Sequence, residues 1–229
     1  MTTAPSLSLD QARFNMIEQQ IRPWEVLDPA VLALLDSVKR ELFVPTAHKA
    51  LAYVDMELPL GDASDQVMLA PRVQARLVQD LAVNPTDKVL EIGTGSGFTT
   101  ALLARLAQRV VSLEIDPSIA TEARSHLQTA GITNAEVRVA DATAHDFAAC
   151  ATEGPWDVIL LAGSVAEVPA ALLNLLAPGG RLATITGYDP VMRATVITRV
   201  DEASFSTEQP WDTLAPRLRH FTEPSRFHF

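Results

Sequence analysis

The sequence predicts an α/β fold, a doubly wound and mostly parallel seven-stranded sheet preceded by a helical extension. From residue 85 onward, apolar runs typical of buried strands alternate with helical patterns, as in parallel sheets. One run, residues 89–92, is followed by three glycines at alternate positions, Gly93, Gly95 and Gly97. A strand, a glycine-rich turn and a helix start form the nucleotide-binding corner of such a sheet.

The N-terminal extension is placed at residues 1–84 and is predicted to be helical. Residues 1–9 are expected to form a loose tail. Asp10 is expected to cap a helix at residues 11–21 that carries Phe14 on its apolar stripe. Further helices of the extension are predicted at residues 29–38, 46–51 and 72–81.

Residues 53–71 show little hydrophobic periodicity and contain Pro59, Gly61 and Pro71. They are predicted to form a structured loop. Long loops in compact domains are often functional, so this loop is a candidate part of a binding site.

The core is predicted at residues 85–215, with a C-terminal tail at residues 216–229 that shows no interpretable pattern. Gly131 and Pro178 stop helical patterns between strands. Helices are predicted at residues 98–107, 116–130 and 170–176. Strands are predicted at residues 89–92, 110–114, 135–139, 156–162, 181–186 and 194–200, with a last strand within residues 204–214.

Composition excludes several classes of function. The chain has 229 residues, of which 48% are hydrophobic, enough for a normal core. Its formal net charge of -10 argues against nucleic acid as the main partner. With Cys150 as the single cysteine and scattered histidines, neither an internal disulfide nor a metal site is expected. No signal segment or membrane-length apolar run is visible, so a cytoplasmic protein without a membrane partner is expected.

The glycine spacing addresses which nucleotide is bound. The dinucleotide fingerprint is G-x-G-x-x-G, but here the third glycine, Gly97, comes one residue early. An acid, Glu91, stands two residues before Gly93. The resulting E-x-G-x-G-x-G pattern resembles motif I of the S-adenosylmethionine (AdoMet) methyltransferases, which have a Rossmann-like fold. A dinucleotide-binding oxidoreductase is disfavoured, and a solvated strand end is the alternative interpretation of Glu91.

Strand ends supply the expected cofactor contacts, because ligands bind at the carboxyl ends of strands in these sheets. Glu114 closes the second strand and is expected to accept bonds from the ribose hydroxyls; the alternative is a surface acid before a helix. Asp141 follows the third strand and is expected to accept from the adenine amino group, or else to cap a helix. The predicted cofactor-binding residues are Glu91, Gly93, Thr94, Gly95, Gly97, Glu114, Ile115, Asp141 and Ala142.

Together these motifs resemble the protein-L-isoaspartate (D-aspartate) O-methyltransferases over residues 14–187. Residues 91–98 are similar to the motif I of that family almost residue for residue. Residues 43–45 and 52–61 are similar to its distinctive N-terminal signature, and residues 157–162 and 176–180 to its later motifs.

The acceptor loop departs from the family pattern G-Q-T-I-S-Q-P. The stretch here runs from Asp65 to Pro71, and Gln66 and Pro71 match. Val67 replaces the threonine, and Leu69 replaces the serine that the resemblance implicates in binding the substrate carboxylate. The acceptor site is therefore predicted to be altered, with Ser64, Gln66 and Leu69 as its candidate residues.

The resemblance implies methyl transfer from AdoMet to the free carboxylate of L-isoaspartyl residues in damaged proteins, the first step of their repair. An ionised carboxylate needs no general base, so alignment and exclusion of water would dominate catalysis. Losing one donor to a charged group costs about 1.5–3 kcal/mol, which predicts weak but detectable turnover that Leu69→Ser should raise. The alternatives are a methyltransferase acting on another carboxylate or small molecule, and a non-catalytic AdoMet-binding module.

Overall fold

A computed structural model describes residues 8–223 and shows the predicted α/β architecture. The strands of its seven-stranded sheet are β3 (Lys88–Ile92), β4 (Arg109–Glu114), β5 (Ala135–Val139), β6 (Trp156–Val165), β7 (Leu176–Tyr188), β8 (Val191–Arg199) and β9 (Phe205–Thr213). They lie in the order β5-β4-β3-β6-β7-β8-β9. The five strands from β5 to β7 run parallel, while β8 and β9 are added antiparallel as a meander. The chain therefore reverses its strand order between β3 and β6, which is where such sheets bind ligands.

Helices cover the sheet and build the N-terminal extension. The α-helices are α1 (Leu9–Met16), α2 (Pro29–Ser37), α3 (Pro71–Leu81), α4 (Phe98–Leu106), α5 (Pro117–Thr129), α6 (Ala148–Ala151) and α7 (Ala170–Leu173). A π-helix at Ile17–Ile21 and 3₁₀ helices at Arg22–Trp24, Arg40–Leu42 and Thr46–Leu51 complete the extension. Within residues 8–223, no helix has the length and hydropathy that a membrane span requires.

Two details of the first helix differ from the prediction. The helix begins at Leu9 and is capped by Ser8, whose hydroxyl accepts from the Gln11 N–H at 3.2 Å, so the prediction of Asp10 as the cap was wrong. Asp10 instead forms an ion pair with Arg13 in the first turn. Phe14 is 57% exposed and lies off the buried stripe. Of the predicted loose tail, residues 1–7 lie outside the described part of the chain.

The alternation of strand residues produces an apolar core on each face of the sheet. Val89 and Leu90 are adjacent on β3 and belong to different buried clusters, as do Val110 and Val111 on β4. Successive side chains of a strand point to opposite faces, so the two clusters lie on the two sides of the sheet. The N-terminal helices pack into the cluster that contains Val89. The division at residue 84 stays a prediction, since this cluster joins both sides of it.

The loop at residues 53–71 contains a short hairpin. Its strands, β1 (Leu58–Pro59) and β2 (Val67–Met68), pair antiparallel. Residues 60–66 form the turn between them. Two-residue strands are too short to show a periodic pattern, which explains why the sequence indicated only a structured loop.

Candidate cofactor and acceptor site

A cleft lies at the carboxyl ends of β3, β4, β5 and β6, where doubly wound sheets bind their ligands. Residues predicted for the site that line it are Gln66, Gly93, Gly95, Glu114, Ile115, Asp141 and Ala142. Apolar neighbours on its wall include Ile92, Leu113 and Ile119. The predicted residues that do not line it are Ser64, Leu69, Glu91, Thr94 and Gly97.

The glycine turn after β3 requires glycine for its backbone conformation. Gly93, Gly95 and Gly97 have φ angles of +93°, +53° and +84°, a region that L side chains rarely adopt. A Cβ on Gly97 would also lie 3.3 Å from the Ala123 carbonyl oxygen of α5. The turn thereby brings bare backbone to the floor of the cleft and begins α4 directly after Gly97.

Glu91 is fully buried beneath this turn, so its interpretation as a solvated strand end was wrong. Its Oε2 accepts hydrogen bonds from the hydroxyls of Thr100 on α4 and Ser112 on β4, the latter at 2.7 Å. Ser112 in turn bonds the Thr94 hydroxyl at 2.6 Å. Glu91 and Thr94 therefore brace the turn from behind, linking β3, β4 and α4 rather than facing the cleft. Burial raises the pKa of Glu91 to about 7, against the effect of its two hydrogen bonds.

This raised pKa predicts a pH-dependent stability that Glu91→Gln should remove. Between pH 4.5 and about 7 the folded chain keeps a proton on Glu91 that the unfolded chain has lost. The contribution of Glu91 to the free energy of unfolding therefore falls as the pH rises through that window. We expect the unfolding free energy of the parent, relative to the variant, to drop by about 2–3 kcal/mol between pH 5 and 8. Urea unfolding of both proteins at the two pH values measures it; a constant difference would contradict a buried Glu91 of raised pKa.

Glu114 ends β4 with its carboxylate directed at the glycine turn. Its Oε2 accepts from the Gly95 N–H at 2.9 Å and its Oε1 from the Asp116 N–H at 3.1 Å. The residue is only 7% exposed, so its interpretation as a surface acid was wrong. Each carboxylate oxygen keeps a free lone-pair direction, so both can accept further bonds from a ligand in the cleft.

Asp141 follows β5 and has two kinds of partner. Its Oδ1 accepts from the Thr143 backbone N–H at 3.0 Å and from the Thr143 hydroxyl at 2.8 Å, which closes a tight turn. Its Oδ2 lies 2.6 Å from Nδ1 of His220. No helix begins at this turn, so the alternative prediction that Asp141 caps a helix was wrong.

The acceptor loop places its three candidate residues differently. Gln66 lines the cleft and donates to Asp116 Oδ2 at 2.7 Å, which ties the hairpin turn to the start of α5. Ser64, in the same turn, is exposed and does not line the cleft. Leu69 is only 4% exposed, packs in the core and does not line the cleft.

A buried arginine, which sequence reasoning did not single out, fixes the end of this loop. Arg40 is 1% exposed and donates from Nη2 to the Leu69 carbonyl oxygen at 2.9 Å and from Nη1 to Gln74. Gln74 continues to the Thr99 hydroxyl of α4 at 2.7 Å. The network joins the N-terminal extension, the acceptor loop and α4, so residue 69 is held by its backbone as well as by packing.

A C-terminal strap, defined as residues 216–221, crosses the cleft and was the part of the site that sequence reasoning missed. It is attached to the end of β6 through Ser164, whose N–H donates to the Pro216 carbonyl at 2.8 Å and whose carbonyl accepts from the Leu218 N–H at 2.9 Å. A Cβ built on Gly163 would lie 2.9 Å from Cγ of Leu218, and one on Gly93 would lie 3.0 Å from its Cδ2. Leu218 therefore sits on the ends of β3 and β6.

Charged side chains of the strap connect it to the rest of the cleft wall. Arg219 makes a bidentate ion pair with Asp65 of the acceptor loop, from Nε and Nη2 at 2.6 Å each. His220, whose Nδ1 lies 2.6 Å from Asp141 Oδ2, ties the strap to the turn that follows β5. Residues 224–229, including His228, lie outside the described part of the chain.

Comparison with known proteins identifies the family. The family model for protein-L-isoaspartate (D-aspartate) O-methyltransferase matches residues 11–213. The protein-L-isoaspartate O-methyltransferase of Methanoculleus marisnigri is 41% identical over 175 residues, 76% of this chain and 77% of that protein. Protein-L-isoaspartate O-methyltransferase 1 of Syntrophobacter fumaroxidans is 40% identical over 181 residues, 79% of this chain and 82% of that protein.

A solved structure shares the fold. It is a putative protein-L-isoaspartate O-methyltransferase of Plasmodium falciparum in complex with S-adenosyl-L-homocysteine, with a TM-score of 0.74 and 17% identity. The alignment covers 93% of this chain and 99% of that one. The match of residues 11–213, with relatives at about 40% identity, shows that the chain belongs to the protein-L-isoaspartate (D-aspartate) O-methyltransferase family.

Proposed function

We propose that this chain transfers the methyl group of AdoMet to the free α-carboxylate of L-isoaspartyl residues in damaged proteins. The observation that carries the proposal is the family match over residues 11–213, combined with a cleft whose floor is the motif I turn. The chain is thus an AdoMet-dependent O-methyltransferase of this family. A location in the cytoplasm is proposed from the sequence alone.

The residues of the cleft fit AdoMet. Glu114, with unused lone pairs on both oxygens, would accept from the ribose hydroxyls. Gly93 and Gly95 line the cleft with bare backbone, against which the methionine part would lie, and Ile115 and Ala142 would flank the adenine ring. Asp141 would accept a hydrogen bond from the adenine amino group after its own contact with His220 is broken. Glu91, Thr94 and Gly97 would act indirectly, by shaping the turn.

The reaction asks the protein mainly for positioning. AdoMet supplies a methyl group activated by its sulfonium, and transfer to a carboxylate oxygen breaks the methyl–sulfur bond and leaves the electron pair on sulfur. A free α-carboxyl has a pKa of about 3.3–3.7, so the acceptor is already ionised at neutral pH. The chain's residues need only orient the acceptor and exclude water, which is what the hairpin turn and the strap are placed to do.

A different carboxylate or small-molecule acceptor is the second candidate. It is favoured by one observation, that Leu69 replaces the family's serine and lies in the core rather than in the cleft. A cleft of the same fold and cofactor would serve either acceptor, so the acceptor itself has to be tested.

The test uses labelled AdoMet with a pair of peptides that differ only in an isoaspartyl or aspartyl linkage. We expect labelling of the isoaspartyl peptide and none of the aspartyl peptide. Calorimetric titration first establishes binding of S-adenosylhomocysteine (SAH) and lack of binding of NAD. Confirmed SAH binding without methylation of either peptide would reject isoaspartyl repair in favour of another acceptor, to be sought in a panel of small carboxylates. Tight NAD binding without a response to SAH would reject the cofactor as well.

A further inference from the structure

We propose that Arg219 binds the carboxylate of the methyl acceptor, and that Asp65 holds its guanidinium in place until the acceptor displaces it. This inference rests on the proposed function, because it names the group that recognises the acceptor in that reaction. It concerns the C-terminal strap, which lies beyond residues 11–213 matched by the family model.

A carboxylate acceptor requires hydrogen-bond donors or a cation in the cleft. The acceptor-loop residues predicted from the sequence to bind the carboxylate, Ser64, Gln66 and Leu69, carry no positive charge. Leu69 has no donor and is buried in the core, and Ser64 is exposed and does not line the cleft. Gln66 lines the cleft, but its amide donates to Asp116. The task therefore falls to another element of the cleft wall.

Within residues 8–223, the cations that line the cleft are Arg217 and Arg219. Arg217 is committed to the strap's own attachment. It donates from Nη1 to the Ser164 hydroxyl at 3.2 Å, from Nη2 to the Gly187 carbonyl at 2.6 Å and from Nε to Glu223 at 2.8 Å. Arg219 instead uses its guanidinium fork on one carboxylate, that of Asp65. A fork aimed at a carboxylate is the geometry that recognition of an acidic acceptor needs.

The place of Arg219 along the strap suits this role. The residue before it, Leu218, contacts the ends of β3 and β6 at Gly93 and Gly163. In a doubly wound sheet this switch point is where ligands bind. Arg219 follows directly and faces the acceptor loop, so it bridges the switch point and the loop.

Asp65 resembles the acceptor in the one respect that matters, since it presents a carboxylate to the same fork. Both side chains are about one third exposed, at 35% for Arg219 and 36% for Asp65. An ion pair at such exposure contributes little to stability, so an incoming carboxylate can exchange with it. Asp65 lies in the hairpin turn between β1 and β2, next to Gln66.

The charges around the cleft make a cation necessary. Asp65, Glu114, Asp116 and Asp141 all lie at or beside it, and the chain as a whole carries a net charge of -10. Without Arg219 this field would repel an acidic acceptor. With Arg219 present, the acceptor carboxylate forms a charge-assisted bidentate contact with the guanidinium, which replaces the contact between Arg219 and Asp65.

The experiment measures the Kd of the isoaspartyl peptide for the SAH-loaded protein, beside kcat and KM for its methylation. For Arg219→Ala we expect the peptide Kd and KM to rise about 10- to 150-fold, while the SAH Kd changes less than about threefold. A peptide with a carboxamide in place of the isoaspartyl carboxylate serves as the uncharged competitor. The parent should prefer the carboxylate by a similar factor, and Arg219→Ala should lose that preference, which a merely structural role would not produce.

Two further variants keep the proposal testable if Arg219→Ala does not fold. Asp65→Asn removes the competing carboxylate and should lower the peptide Kd, whereas Arg219→Lys keeps the charge without the fork and should raise it less than alanine does. Arg193→Ala, which breaks an exposed ion pair with Asp212 outside the cleft, is the matched control and should leave all constants unchanged.

The outcomes distinguish a failure of the proposed function from a failure of the role proposed for Arg219. Absence of isoaspartyl methylation in the parent would overturn the proposed function itself. Methylation by the parent, with an unchanged peptide Kd in Arg219→Ala and Arg219→Lys, would overturn the role of Arg219 alone. A rise of the peptide Kd in Asp65→Asn would overturn the exchange of carboxylates, because Asp65 would then help to bind the acceptor.

Discussion

Glu114→Ala should raise the Kd of SAH by about 10- to 150-fold without unfolding the protein. The factor corresponds to about 1.5–3 kcal/mol, the value of a hydrogen bond to a charged group. Glu114 is only 7% exposed at the end of β4. In the alanine variant, water therefore has little access to this position and cannot fully replace the carboxylate as a partner for the ribose hydroxyls. The loss has a second component, since the carboxylate also accepts from the Gly95 N–H at 2.9 Å and thereby holds the glycine turn.

Two companion variants separate these components. Glu114→Gln keeps a carbonyl oxygen for one of the bonds but loses the charge, and we expect a smaller rise in Kd. Glu122→Ala removes an exposed acid from α5 that does not line the cleft, and its Kd should match the parent's. Calorimetric titration of SAH measures all three variants, with thermal unfolding as the check on folding. Parental affinity in folded Glu114→Ala would exclude Glu114 as the ribose ligand.

The sheet could be predicted from the sequence because its signals are local. Buried parallel strands are short apolar runs, and glycine or proline marks their ends, so β5 was predicted at its observed bounds, Ala135–Val139. The order of the last strands was not predicted, because their predicted bounds were not sharp enough to show that the connections are too short for a crossover. The structure shows β8 and β9 continuing the sheet in sequence order.

The strap could not be predicted, for a related physical reason. It has no periodicity because its contacts are single side chains reaching distant segments, such as Arg219 to Asp65 and His220 to Asp141. Its backbone pairs only with Ser164 of β6, in one isolated bridge. Interactions of this kind leave no repeating pattern in the sequence, although they complete the wall of the site.

Leu69→Ser should lower the free energy of unfolding by about 2–5 kcal/mol, the usual cost of truncating a buried leucine. Leu69 is 4% exposed within the core cluster that contains Val89, and a serine hydroxyl placed there has to find a partner or add to the cost. The position in the family pattern led to the opposite expectation, that serine would restore a donor to the acceptor and raise kcat/KM. The structure favours loss of stability without a gain in kcat/KM, because residue 69 does not line the cleft.

Val67→Thr is the matched control for this variant. It introduces the family's threonine two residues earlier, at a half-buried position that lines the cleft, so its hydroxyl has access to solvent or ligand. We expect Val67→Thr to be the less destabilised of the two. Urea unfolding and isoaspartyl methylation of both variants decide the matter. A higher kcat/KM in Leu69→Ser at parental stability would mean that residue 69 reaches the acceptor. The serine hydroxyl would then be a donor to the acceptor that the parent protein lacks.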